Sequence, residues 1–189
     1  MDKYIRHNRK SIRLKEYDYS RGGYYFVTIC TSKLMNLFGE IVEGEIKLNE
    51  AGTIVEKCIK DMQVHFPSVS IDYYCIMPNH LHLIIILNEA LSVGVQNFEP
   101  LQNQFQTIIP YSLGSVVKGL KIGVTKWFRQ KSPNQKVWQR NYYEHVIRND
   151  KDLYEIRKYI QNNPLEWEDD EYFTATHPQI PPVPKKSES

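Results

Sequence analysis

Two β-rich runs on either side of a Pro-Asn break constrain this chain more than any other feature. Residues 71–76 are apolar and aromatic except for Asp72, Met77-Pro78-Asn79 interrupts them, and residues 80–87 read His-Leu-His-Leu-Ile-Ile-Ile-Leu. β-branched and aromatic residues flanking a turn-forming dipeptide predict two adjacent strands. Strand side chains alternate, so His80 and His82 share one face and Leu81 and Leu83 the other. Past His82 the run is wholly apolar and reads as core, which places the histidines near a strand end. Two imidazoles one strand step apart can bind a single divalent metal ion. They can equally act only as hydrogen-bonding groups, and as a pair they also suit a zinc hydrolase or an oxygenase.

At 189 residues the chain is one domain, or one domain with extensions, and is long enough to bury a real core. Its net charge of +2 says little, but the distribution of charge says more. Residues 1–15 hold six Lys or Arg against one Asp, and residues 111–148 hold eight against one Glu. Residues 166–189 hold six acidic residues and two lysines. Such segregation predicts a basic face for a polyanion, with an acidic tail outside it. Cys30, Cys58 and Cys75 lie far apart in apolar contexts, as buried thiols in a reducing compartment do, not as a disulfide frame or zinc knuckle. No apolar run approaches the roughly 18 residues of a membrane span, and the basic N-terminus leads into no apolar core. The expected location is the cytoplasm, without a membrane partner.

In order along the chain, residues 1–20 are a polar, basic segment and Arg21-Gly22-Gly23 a turn. A strong strand follows over 24–30 and a weaker one over 39–46. Asn49 caps a helix over 50–64, where Ile54, Val55, Cys58, Ile59 and Met62 recur at helical spacing. The two strands around Pro78-Asn79 come next, then a long polar loop over 88–110. Residues 112–130 are helical, with Lys118, Lys121, Lys126 and Arg129 as either a solvated or a phosphate-binding face. An aromatic segment over 137–147, containing Arg140, enters a short strand. A last helix follows from about 151 to 162, and Pro164 stops it. Residues 21–167 form the domain, and residues 168–189 an acidic, Pro-rich, loosely attached tail. The element order predicts an α+β, ferredoxin-like sandwich: an antiparallel sheet of four to five strands with helices on one face, plus a C-terminal helix.

On that last helix Tyr159 and Asn163 are four apart and share a face. If it lies over the histidine strand, His80, His82 and the Asn163 carbonyl oxygen can surround one metal ion, with Tyr159 beside it. Imidazoles with a hard oxygen ligand and open positions suit Mg²⁺ or Mn²⁺ handling a phosphodiester. Tyr159 would then attack in line, giving a phosphotyrosine and freeing a 3′-hydroxyl. Read singly, Tyr159 is a packed or capping tyrosine and Asn163 a helix C-cap. Tyr142 and Tyr143 compete for the nucleophile's role, but neither has a ligand-type residue four positions on. Glu144, His145 and Lys158 are candidates to support the site, the last as a base.

Five stretches carry a resemblance: Arg21-Gly22-Gly23-Tyr24-Tyr25-Phe26-Val27-Thr28, Met77-Pro78-Asn79-His80-Leu81-His82-Leu83, Leu113-Gly114-Ser115-Val116-Val117-Lys118-Gly119-Leu120-Lys121, Trp138-Gln139-Arg140-Asn141-Tyr142-Tyr143-Glu144-His145, and Tyr159-Ile160-Gln161-Asn162-Asn163-Pro164. In this order they resemble the REP-associated tyrosine transposases, within the wider single-tyrosine HUH nucleases and transposases, over roughly residues 5–167. The resemblance implies His80 and His82 as metal ligands, Asn163 in the third-ligand place where relatives often carry Gln, and Tyr159 as the nucleophile. It implies a DNA endonuclease and strand transferase that uses Mg²⁺ or Mn²⁺ on single-stranded DNA near palindromic hairpins, as a monomer or a homodimer. Arg6, Arg9, Arg13 and Arg21 would hold DNA beside the hairpin, with Lys118, Lys121 and Arg140 as further DNA contacts. Two alternatives stay open: a domesticated DNA-binding protein with little turnover, and an unrelated metallohydrolase of small molecules.

Overall fold

The protein's structure, a computed structural model, describes residues 22–88 and 112–173. Arg6, Arg9, Arg13 and Arg21, nearly all of the 88–110 loop, and the tail from residue 174 lie outside the described residues. Four strands form one antiparallel sheet: β1 (Gly23–Cys30), β4 (Val69–Ile76), β5 (His80–Leu87) and β6 (Tyr143–Ile147), in the order β4-β5-β1-β6. The long apolar strands β1 and β5 take the centre, where most side chains are buried. The expected 39–46 strand is instead a separate hairpin of β2 (Gly39–Val42) and β3 (Glu45–Leu48). Its two-residue turn has positive φ at both Glu43 (54°) and Gly44 (77°), the twist that hairpin turns require.

Three further helices complete the order: α1 (Glu50–Lys60), followed by the short α2 (Met62–His65), and α3 (Leu113–Lys131). Asn49 caps α1 by accepting from the Gly52 N–H at 2.9 Å, and the Ser112 side chain accepts from the Ser115 N–H to cap α3. Gly52 lets α1 press on the segment before β2: a Cβ there would sit 2.1 Å from the Phe38 carbonyl oxygen. The apolar stripes of α1 (Val55, Ile59) and α3 (Val116, Leu120, Val124) cover one sheet face with Tyr25, Val27, Ile29, Leu81, Leu83 and Ile85. This is a ferredoxin-like α+β arrangement with α1 and α3 on one face.

α4 (Asp150–Asn162), capped by Asn149, crosses the other face. There Ile160 is fully buried with Phe26, Ile84 and Ile147. The chain past Pro164 departs from the expected loose tail. Residues 167–169 form a 3₁₀ turn, Trp167 is buried, and the Tyr172 carbonyl accepts from the Asn79 side chain at 2.7 Å. Aromatic side chains within the acidic run supply apolar surface that binds it back onto the domain.

Candidate active site

Register sets the first two groups. β1 pairs with β5 so that Thr28 lies opposite His82 and Cys30 opposite His80. Both histidines therefore project from the face that α4 crosses, next to Phe26 and Thr28. They are fully buried, with their Nε2 atoms 2.9 Å apart.

Their outer nitrogens are held. The Asn79 side-chain N–H₂ donates to the Leu34 carbonyl at 3.2 Å and to the Tyr172 carbonyl at 2.7 Å. Carbonyls accept only, so the amide's orientation is settled, and its oxygen must face His80 Nδ1, 2.8 Å away. His80 Nδ1 therefore carries the proton, and its Nε2 presents a bare lone pair. The Thr28 hydroxyl stands 2.9 Å from His82 Nδ1 and can donate or accept. Burial lowers the His82 pKa to about 3. Burial first, then the neighbouring His82, hold His80 well below its usual range, against an opposing pull from the Asn163 amide. Both rings are thus neutral, the form that binds metal.

α4 delivers the next two. Tyr159 packs edge-on to Phe26 at 6.1 Å and near-perpendicular to His82 at 5.2 Å, with its oxygen 3.4 Å from His82 Nε2. It is 39% exposed, so the phenol faces both the histidines and solvent. Asn163 is buried one turn on; its amide donates to Asp170 Oδ2 at 2.5 Å, while its buried oxygen has no hydrogen-bond partner among the described residues. An ion pair fixes α4 further along: Arg157 Nε and a terminal nitrogen grip the two oxygens of Asp72 at 2.8 and 2.5 Å. Asp72 sits at the bulge that breaks the β4–β5 register between Ile71 and Tyr73.

The docked tail supplies a group that the sequence reading lacked. An oxygen of Asp170 lies with one nitrogen of each histidine in a cluster whose atoms are all within 4.8 Å of one another. Burial raises the Asp170 pKa, opposed by hydrogen bonds from the Tyr172 N–H (2.6 Å) and Asn163. Tyr172 lies 4.7 Å from the His80 ring, and Trp167 lies 6.1 Å from it. Thr28, Asn79, Asp170 and Tyr172 were all missed. Asn79 was next to the motif, but Asp170 is one of several carboxylates in an acidic run and nothing local distinguishes it.

Other expected site residues fall elsewhere. Glu144 lies opposite Val27, on the α1–α3 face, so the sheet separates it from the histidines; neither buried carboxylate oxygen has a partner among the described residues. His145 bonds Asp152 at 2.9 Å near the start of α4, and Lys158 is exposed. Lys118, Lys121 and Arg140 line a groove along α3, away from Tyr159. Tyr143 packs on Phe26 at 6.2 Å.

The donor set suits a hard divalent cation: two neutral imidazoles, a carboxylate and an orphaned amide oxygen. Fold and site together define a ferredoxin-like protein with a candidate metal centre beside a tyrosine-bearing helix. No protein-family model matches the chain. An uncharacterized Haemophilus influenzae protein is 45% identical over 172 residues, covering 88% of this chain and 94% of that one, and the two belong to one family. A second protein of that organism, a predicted REP-associated tyrosine transposase, is 28% identical over 148 residues, covering 78% of this chain and 73% of its own length. The solved structure of a REP-associated tyrosine transposase bound to a REP hairpin has the same fold: TM-score 0.55, 21% identity, 88% of this chain and 74% of that one. The chain is thus similar in sequence to one REP-associated tyrosine transposase and in fold to another, and it carries a His-His-Asp cluster able to hold a metal ion. No helix among the described residues is long and apolar enough to cross a membrane.

Proposed function

We propose that this protein is a metal-dependent single-stranded DNA endonuclease and strand transferase. It acts near palindromic hairpins through a covalent 5′-phosphotyrosine at Tyr159. The observation that carries the reading is the Tyr159 oxygen 3.4 Å from His82 Nε2, in the same chain as His80 and Asp170. Homology to REP-associated tyrosine transposases supports hairpin-forming DNA as the substrate class.

His80, His82 and Asp170, with the Asn163 amide oxygen, would hold Mg²⁺ or Mn²⁺. When bound, the ion supplies positive charge to the phosphate under attack. Asn79 and Thr28 orient the imidazoles, and Phe26 holds the tyrosine ring. The Tyr159 oxygen attacks phosphorus and gives up its proton to water, to which the partly exposed phenol is open. The O–P bond forms as the bond to the 3′-oxygen breaks, and that oxygen takes up a proton. Attack by a 3′-hydroxyl on the phosphotyrosine reverses these changes and joins a strand. Arg6, Arg9, Arg13 and Arg21 are the proposed contacts to DNA beside the hairpin. With the tyrosine and the histidines in one chain, a monomer suffices for the chemistry.

A second reading, a DNA-binding protein with little turnover, is favoured by the complete burial of the histidine pair beneath Tyr172. One experiment separates the two. The protein is incubated with Mn²⁺ or Mg²⁺ and single-stranded hairpin oligonucleotides, then run on a denaturing gel. A covalent adduct that Tyr159→Phe abolishes, with hairpin binding kept, supports the transferase. Binding without any adduct supports the second reading, and an adduct undiminished in Tyr159→Phe rejects the assigned nucleophile.

A further inference from the structure

We infer that the groove between α3 and the segment before β6 is a nucleic-acid backbone site that sets affinity without reading sequence. The inference rests on the DNA-processing reading above. The groove, about 420 Å³, is lined on one side by Lys118, Lys121, Thr125, Lys126 and Arg129 of α3, and on the other by Arg140 and Tyr142. The α3 cations recur every three to five residues along a single helix stripe. From 118 to 129 that stripe is about 16 Å long, the axial length of roughly four to five nucleotides of one strand.

Three observations favour a polyphosphate occupant. No acidic side chain among the described residues lines the groove. Among the described residues, Lys118, Lys126, Arg129 and Arg140 form no ion pair, although Lys131 on the next turn pairs with Glu50. Five cations held together without counter-charge repel one another and bind an anion to relieve it. The far wall is also built to stay in place. Lys121 donates to the carbonyls of Gln139 (3.1 Å) and Asn141 (2.9 Å), and the Trp138 indole donates to the Lys121 carbonyl at 3.1 Å. These bonds tie the Arg140 segment to α3, so Arg140 and the helical cations face one channel at fixed width.

The lining chemistry argues that the backbone, not the bases, is read. Three of the groove's five cations are lysines, point charges suited to phosphate, and among the described residues no Asn, Gln, Asp or Glu lines it to read adenine or cytosine. Lys121 interacts electrostatically with Cys30 at the end of β1, and Cys30 is the strand partner of His80.

The test uses the full chain and three probes: a fluorescein-labelled DNA hairpin with a single-stranded 5′ flank, a scrambled strand of equal length, and vesicles rich in anionic phospholipid. Binding is followed by anisotropy across a salt series for wild type, Lys118→Ala/Lys126→Ala and, as a variant at an exposed position, Arg140→Glu. Circular dichroism checks that each is folded. For the double variant the expected loss in the slope of log affinity against log salt is about 0.7–0.9 per cation removed. The fold-loss should be the same for hairpin and scrambled strand. Unchanged slopes in folded variants overturn the site, as does a loss confined to one sequence or to the vesicles. The adduct assay on wild type is independent: no adduct with reduced slopes in the variants rejects the transferase but keeps the groove. An adduct with unchanged slopes does the reverse.

Discussion

The Thr28 hydroxyl lies 2.9 Å from Nδ1 of His82, on the strand paired with the histidine strand. Because His80 Nε2 is bare, the 2.9 Å contact between the two Nε2 atoms makes His82 Nε2 the donor, and Nδ1 then accepts from Thr28. Binding a cation through both Nε2 atoms requires the other His82 tautomer, with Nδ1–H donating to the same hydroxyl. Thr28 satisfies either state by rotating its O–H. Thr28→Val should therefore weaken Mn²⁺ binding by about 10–100-fold, while Thr28→Ser retains it. Titration followed by the paramagnetic signal of free Mn²⁺ measures this, and equal affinity in Thr28→Val would remove Thr28 from the site.

Asp170 makes a different prediction. Its partly buried carboxylate is costly in the absence of a cation, so Asp170→Asn should leave the metal-free melting temperature unchanged or higher. The added stability from metal, about 2.7 kcal/mol at a hundredfold excess over Kd, should shrink markedly in the variant. Melting curves with and without Mn²⁺ test it. An undiminished increment would leave the two histidines and Asn163 as the ligands.

The Asp72–Arg157 ion pair predicts a split between stability and chemistry. Arg157 is half-exposed, so Asp72→Asn should cost about 1 kcal/mol or less in stability. Misplacement of a reacting atom by about 1 Å can cost as much as a hundredfold in rate. Adduct formation at Tyr159, two residues from Arg157, should fall by about tenfold or more. Equal rates at unchanged stability would show that Ile160 packing alone positions α4.

Lys121 carries a pH signature. Burial lowers its pKa to about 8, from about 10.5 when unfolded. Below pH 8 both states are protonated and the full cost of a buried ammonium is present. As pH rises from 8 to 10.5 the folded state releases its proton first, so this group's contribution to stability increases. Cys30 and Cys75, both pushed up to about 12 by burial, act oppositely above pH 9, because their unfolded thiols ionise first. The stability of wild type relative to Lys121→Met should therefore rise across that window; the Cys75 effect cancels in the difference, whereas that of Cys30, which interacts with Lys121, cancels only in part. Denaturant titrations at pH 7, 8.5 and 10 measure it; a flat difference would mean that the ammonium is solvated.

Local chemistry made most of the frame legible. The alternation of residues 80–83 leading into the apolar run to 87, the Asn49 and Ser112 caps and the α3 stripe are each written within a few residues, so strands, helices and the shared face of His80 and His82 follow from spacing. The Tyr159–Asn163 spacing likewise needed only helical periodicity. What tertiary structure alone decided is which face α4 covers and where the acidic run goes. α4 is placed by Ile160 against Phe26 and Ile84 and by Arg157 on Asp72, partners more than 70 residues away in sequence. The acidic run was read as a solvated tail because its charge outweighs its few aromatic residues. Trp167 and Tyr172 nevertheless find a surface beside His80, and their burial carries Asp170 into a centre that its own sequence context does not announce. Such long-range packing depends on surfaces that exist only once the sheet has formed.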